Sequence, residues 1–264
     1  MEPKTYWDER AQTYDLNGWT SRPDLLGWSA DHATRFLKSA PGEPEASKKA
    51  RVLEVGCGTG TFTEALLDRW LAVDAVDISP EMVTRARERL EAARKVAWST
   101  SVVPDPLSLP DGMFAGVVSR MVLHHAPDHP LDTIQRWKSK CLPGCAVVIV
   151  EGPPQSSDPK HTAWELYVDA MEAKEPGRFV FSGGQVADWL FEAGCESVHV
   201  VERFTHNNSL RAWLSGSGFN GEQAEDILDL HRNADPMARD LCRIKEMPDG
   251  DVQMSWKHVV VAGW

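Results

Sequence analysis

The sequence predicts an α/β fold, a doubly wound and mostly parallel sheet with helices on both faces, and three observations predict it. From residue 51 onward, short β-branched apolar runs alternate with amphipathic segments of helical length, as in successive βαβ units. The first of these runs breaks into Gly56, Gly58 and Gly60 at alternate positions before a helix-compatible segment, so a buried strand feeds a tight turn. Two apolar stretches near the end, 196–204 and 253–262, read as an antiparallel closing pair.

In chain order, a helical arm occupies residues 1–50. Its segment Tyr6-Trp7-Asp8-Glu9-Arg10-Ala11-Gln12-Thr13-Tyr14-Asp15 places Arg10 and Tyr14 one helical turn apart, on one face of a continuous helix. The Pro-, Gly- and charge-rich stretch 40–49 separates the arm from the first core strand. Strands are expected at 51–55, 72–76, 96–99, 115–119, 146–150, 196–204 and 253–262, and helices at 61–70, 80–94, 130–141 and 184–193. Ser79 is a good N-cap for the second of these helices, and Pro80 suits its first position. Residues 51–264 thus form one domain with two insertions, 152–182 and 205–250. Both carry helical patterns, such as Leu210, Trp213 and Leu214. The first insertion leaves from the carboxyl end of a parallel strand, where ligands bind in such sheets, so with the arm it should form a lid.

The glycine turn reads as a nucleotide-type cofactor site, because glycines let a ligand approach the main chain and the next helix opens with unpaired N–H groups. It is not the dinucleotide fingerprint, whose third glycine would fall at Thr61, one residue after Gly60. Nor is it a phosphate-binding loop, since no Lys follows. Asp77 closes the second strand about 20 residues past the glycines, a distance at which a carboxylate suits the hydroxyls of a ribose.

The run Glu54-Val55-Gly56-Cys57-Gly58-Thr59-Gly60 resembles the E-x-G-x-G-x-G motif of the class I S-adenosylmethionine-dependent methyltransferases, whose fold is a seven-stranded Rossmann-like sheet with the last strand antiparallel. Three further segments resemble that family in order. Val103-Pro104-Asp105-Pro106-Leu107 is similar to its G-D-A-x-x-L-P segment, with prolines where Gly and Ala are usual, and Pro106 removes a backbone donor. Leu123-His124-His125-Ala126-Pro127-Asp128 resembles an L-H-H-x-P-D segment of small-molecule members such as those of ubiquinone and menaquinone biosynthesis. Cys141-Leu142-Pro143-Gly144-Cys145 resembles the L-x-P-G-G turn, and the arm resembles a W-x-x-R-A-x-x-Y-D helix that precedes many members. The resemblance implies S-adenosylmethionine as cofactor. It implies a cofactor set of Arg10, Tyr14, Glu54, Gly56, Gly58, Gly60, Asp77, Ile78, Met82, Asp105, Pro106, Arg120 and Met121, with Asp77 on the ribose and Asp105 on the adenine amino group.

Methyl transfer from a sulfonium is an in-line displacement, so alignment and exclusion of water supply much of the rate. A general base is needed only where the acceptor keeps its proton until attack. His124, His125 and Glu151, at strand ends, are the catalytic candidates; His161, Trp164 and Tyr167, in the lid, are the substrate-binding candidates. No metal site is expected. The acceptor is a small molecule, methylated on O or N, with C as the near alternative. The rival reading from another class is a cofactor-binding protein of the same fold without methyl transfer; a nicotinamide oxidoreductase is more distant. With 39 acids against 28 bases and a net charge of −11, no nucleic-acid partner is expected, because that affinity rests on clustered Lys and Arg. Five cysteines without a C-x-x-C pair, no signal peptide and no apolar run of ~20 residues lead to the expectation of a cytoplasmic protein without a membrane span. Nothing in the sequence reads out an oligomeric state.

Overall fold

A computed structural model describes residues 3–12, 14–16, 22–39, 51–69, 72–92, 109–126, 129–175, 177–215 and 221–264, with the side chains of residues 3, 4, 10 and 16 outside the description. The expected strand 96–99 and the residues Asp105 and Pro106 lie outside the described residues, as does the linker 40–49.

The core is a mixed sheet in the order β2-β1-β3-β4-β7-β5, with a short β6 (Lys245–Glu246) paired to β7. Strands β1 (Val52–Val55), β2 (Val73–Val76), β3 (Phe114–Arg120) and β4 (Cys141–Glu151) run parallel. β7 (Val252–Gly263) lies antiparallel between β4 and β5 (Val198–Ser209). The parallel strands are buried on both faces and read as continuous β-branched runs for that reason. Regular pairing of β4 with β3 begins only at Ala146; the Pro143-Gly144 segment before it is a bulge, with Gly144 at φ 74°.

Helices cover both faces. On one, α2 (Pro23–Ser39), α3 (Thr61–Leu67) and α4 (Pro80–Ala92) pack Phe36, Leu37, Phe62, Leu66 and Leu90 against Val52, Val118 and Val148. On the other, α5 (Pro130–Lys140) and α7 (Gly183–Glu192) set Ile134, Trp137, Val186 and Leu190 against Leu53, Val117 and Ile149. A methyl at Gly116 would meet Leu37 at 2.4 Å, so this strand position must stay bare for α2 to reach the sheet.

Three sequence expectations change. Arg10 and Tyr14 do not share a helix face: α1 (Pro3–Arg10) ends at Arg10, and Tyr14 opens a separate 3-10 turn, Tyr14–Leu16. The cause is tertiary. Asp15 accepts from the Thr59 hydroxyl (2.7 Å) and pairs with Arg89, which pins the turn to the glycine loop. The second insertion starts at 210 instead of 205, because β5 continues along β7 as far as Ser209. Finally, the two insertions are not separate. Helix α6 (Thr162–Lys174) packs with α8 (Leu210–Ser215), α9 (Gly221–Arg232), α10 (Pro236–Cys242) and the start of β7 around Leu166, Leu214, Leu228, Cys242 and Met254. They form one helical cap with its own small core.

Candidate functional site

The carboxyl ends of β1, β2, β3 and β4 bring Gly56, Asp77, Met121 and Glu151 to one edge of the sheet. Gly56, Gly58 and Gly60 all have positive φ, at 73°, 53° and 82°. Their tasks differ. A methyl at Gly56 would strike Val122 at 2.3 Å, and one at Gly60 would meet Ala86 at 3.0 Å, so these two let β3 and α4 approach. At Gly58 the nearest atom would be Tyr14 Cε1 at 3.9 Å, so here the turn is open beneath the arm.

Asp77 is fixed by two backbone donors. Gly58 N–H donates to one carboxylate oxygen (2.8 Å) and Ser79 N–H to the other (2.9 Å). Burial pushes its carboxyl up from the ordinary value, and those two bonds pull it back. Ser79 caps α4 as expected, accepting from Met82 N–H (3.1 Å), while its hydroxyl donates to Asp8 of the arm. Met82 itself is buried in the core, and Ile78 is exposed beside Asp77. Glu54 faces α3 from inside β1, 1% exposed, and its Oε2 has no hydrogen-bond partner among the described residues. Burial pushes its pKa up to about 8, with Thr63 and the Arg120 guanidinium opposing. Arg120 lies over the Phe62 ring, 5.8 Å from its centre.

Next to this cradle stands a paired histidine. His124 Nδ1 is 2.6 Å from Glu151 Oε2, while Glu151 Oε1 accepts from Val122 N–H (3.0 Å) and Leu123 N–H (2.8 Å). A carboxylate holding three hydrogen bonds fixes the 3-10 turn Leu123–His125 and sets the His124 ring with Nδ1–H toward it. Glu151 thus spans the end of β4, the backbone of the histidine turn and the His124 ring. His125 sits 4.1 Å from the His124 ring and edge-on to Trp7 of α1 at 4.7 Å. Trp7 also meets Tyr14 at 6.0 Å, so the arm roofs the space from Gly58 to His125. Met121, at the end of β3, is in the left-handed region (φ 58°) and lays its side chain against Gly152.

The lid candidates divide. Tyr167 donates its hydroxyl to the Gly152 carbonyl at the end of β4 and so reaches the site. His161 instead caps α6, with Nδ1 accepting from Ala163 N–H (3.0 Å), which accounts for its place in the chain without a ligand. Trp164 is buried on the same helix. Four residues outside the expected set also belong to the site's frame: Asp8, Asp15, Val122 and Phe179. Phe179 N–H donates to the His124 carbonyl (3.1 Å), which brings the end of the lid onto the histidine turn. A charged position far along the chain carries no periodic or motif signal, and only folding shows what it meets.

Residues 29–200 match a family model described as a methyltransferase domain, about two thirds of the chain. The chain belongs to the methyltransferase domain family. A trans-aconitate 2-methyltransferase of Mycolicibacterium gilvum is 32% identical over 203 residues, which cover 71% of this chain and 76% of that protein. A trans-aconitate 2-methyltransferase of Rhodococcus jostii is 29% identical over 204 residues, again 71% and 76%. Among solved structures, the YcgJ protein of Bacillus subtilis superposes with a TM-score of 0.72 at 18% identity, covering 88% of this chain and 97% of that one, a likeness of fold. The chain is an S-adenosylmethionine-dependent methyltransferase that acts on a small molecule. The rival reading as a binding protein without transfer falls away.

The residues present fit the cofactor of such a methyltransferase. Asp77 has used two of its roughly four acceptor positions, which leaves places for a ribose diol. Exposed Ile78 offers an apolar surface beside it, Gly58 is open above, and Glu54, whose Oε2 has no partner among the described residues, lies in β1 just before the turn. Among the described residues no cluster of His, Cys, Asp or Glu could hold a metal ion, and no helix is long and apolar enough to cross a membrane.

Proposed function

We propose that this methyltransferase esterifies a carboxylate oxygen of a small polycarboxylic acid, with trans-aconitate as the first candidate. The observation that carries this reading is the likeness, at 29–32% identity over most of both chains, to two enzymes named for that acceptor. S-adenosylmethionine supplies an electrophilic methyl on a sulfonium. Asp77, Gly58, Ile78 and Glu54 would hold it, with Arg120 and Tyr14 at its amino-acid end, and Gly56 and Gly60 keep the turn in shape.

A carboxylate is ionised at neutral pH, so no proton has to leave it before attack. The site's own residues then have three tasks. The histidine turn, held in place by Glu151, walls the acceptor side with the rings of His124 and His125. The arm, through Trp7 and Tyr14, excludes water, which would otherwise solvate the nucleophile. Tyr167, anchored on Gly152, forms the far wall. Met82 we assign to the core, and His161 and Trp164 to the structure of the cap. The arm and the cap are read as the acceptor-selecting parts, the sheet and its glycine turn as the cofactor-holding part. We read the protein as cytoplasmic and without a nucleic-acid partner, in keeping with its net charge of −11 and five buried cysteines that form no disulfide.

The test is turnover with a panel of acceptors. S-adenosylhomocysteine release and the mass of the product should report a methyl ester from trans-aconitate and related acids, at a rate nearly constant from about pH 6 to 9. Production of S-adenosylhomocysteine from amines or phenols alone, rising with pH as their protons leave, would overturn the carboxylate reading.

A further inference from the structure

Two acids hold the arm down, and both reach the same helix, α4. Asp15 meets its far end, where it pairs with Arg89 of the last turn and accepts from the Thr59 hydroxyl (2.7 Å). Arg89 Nε donates in turn to the Thr59 carbonyl (3.0 Å). In this anchor a carboxylate is matched by a guanidinium. Asp8 meets the other end of α4. One of its oxygens accepts from the Ser79 hydroxyl and, at 3.5 Å, from Glu81 N–H in the first turn. Among the described residues no cation is paired with Asp8.

Ser79 joins this second anchor to the cofactor turn. Its backbone N–H donates to one oxygen of Asp77 (2.9 Å), while its hydroxyl donates to Asp8. The hydroxyl oxygen also accepts from Met82 N–H (3.1 Å), so the serine is fixed from three sides. One residue thus carries two carboxylates, one from the sheet and one from the arm. Like charges so placed oppose each other. Burial is the first cause that pushes the Asp77 carboxyl up, and the Asp8 carboxylate adds to it. The two anchors therefore differ in kind: Asp15 docks against a charge of opposite sign, Asp8 beside a charge of its own sign. A donor brought to Asp77 disperses the charge of that carboxylate and lowers the cost of docking Asp8. The docked arm sets Trp7 edge-on to His125 (4.7 Å) and Tyr14 over Gly58, so its position shapes both halves of the site.

We propose that Asp8 is a positioning residue for the cofactor, a latch that closes the arm once the ribose hydroxyls occupy Asp77. This rests on the reading of Asp77 as the acid that holds the ribose. Without the cofactor, the Asp8–Ser79 bond and the repulsion from Asp77 work against each other, and α1 exchanges between docked and undocked positions about the Asp15 anchor. The ribose diol donates to Asp77, and the balance moves to the docked arm. By linkage, the docked arm tightens the cofactor by the same factor. The wall that Trp7 adds beside His125 is then complete only after the cofactor has bound, so cofactor entry precedes acceptor entry.

The experiment follows the arm by hydrogen exchange in peptides from 3–16, and cofactor affinity by calorimetry with S-adenosylhomocysteine. In the wild type, saturating S-adenosylhomocysteine should slow exchange in the arm by about 10-fold, while its 2′,3′-dideoxy analogue, also at saturation, should not. Asp8→Asn keeps an acceptor oxygen for Ser79 and removes the like charge. Its arm should be protected without ligand, and Kd should fall about 2- to 5-fold, since closing the arm no longer draws on binding. Asp8→Ala removes the latch. Its arm should stay open at saturation, with Kd raised about 3- to 10-fold. Asp77→Asn should bind about 10- to 100-fold more weakly and yet keep the arm closed without ligand. A structural role alone would weaken binding in both Asp8 variants, and that result overturns the proposal. So does a wild-type arm that is already protected without ligand, or one that the dideoxy analogue closes equally well; either leaves the cofactor reading of Asp77 intact. Wild-type affinity in Asp77→Asn overturns that reading and the proposal with it.

Discussion

At the scale of single residues, the site is built from ionisable groups in unlike environments. Glu54 is buried in β1 without a partner for one oxygen among the described residues and has its pKa pushed up to about 8. For an acid, a folded pKa above the unfolded value of 4.5 means that the folded state binds the proton more tightly. The stability this confers is complete below about pH 4.5 and is lost as pH rises through about 8. His258 works in the opposite direction. Burial and three nearby arginines push it down to about 3, so its contribution is present above 6.5 and is lost as pH falls. Between about pH 5 and 8 the cofactor-free protein should therefore lose stability as pH rises on account of Glu54, by on the order of 1 kcal/mol for every step of one in pH. Glu54→Gln should flatten that limb. Urea titrations at several pH values check it, and an unchanged slope in the variant would mean that Glu54 is ionised and compensated.

At the scale of elements, sequence periodicity carries the strands and crossover helices but not the partners of the insertions. Leu210, Leu214, Ile227 and Leu228 have helical spacing, which says that some face is apolar without saying what covers it. The cover is α6, from the other insertion, and the shared core makes the cap one unit. Leu228 is fully buried there. Leu228→Ala should cost about 2–5 kcal/mol within the cap, as large-to-small changes in a packed core do. Because the cap core is separate from both sheet cores, the loss should show as local opening. Expected are faster proteolysis and hydrogen exchange in 162–174 and 210–242 and a raised acceptor KM, with cofactor affinity held. Equal loosening of β1 and α3 would show that cap and sheet unfold together.

At the scale of the molecule, the balance of charge decides partners. An excess of 11 negative charges disfavours following a phosphate backbone, and several of the described arginines are paired with acids: Arg22 and Arg203 with Asp24, Arg51 with Asp74, Arg211 and Arg232 with Glu225. Filter binding to transfer RNA at ~150 mM salt should show no saturation in the micromolar range. Saturable, salt-sensitive binding would bring back an RNA acceptor.

The sequence by itself determined the α/β class, the strand–glycine–helix cradle, the Ser79 cap and the methyltransferase family. These depend on local rules, since a glycine turn, an N-cap and a buried strand are each specified by neighbours within a few residues. The tertiary structure decided everything that joins distant segments. It broke the arm helix before Tyr14 because Asp15 found Thr59 and Arg89. It set Glu151 against His124 and made His161 the N-cap of α6. Side-chain chemistry shows in the letters of a sequence, but the partner that gives it a task is set by packing across the sheet, where separation along the chain has no bearing on distance.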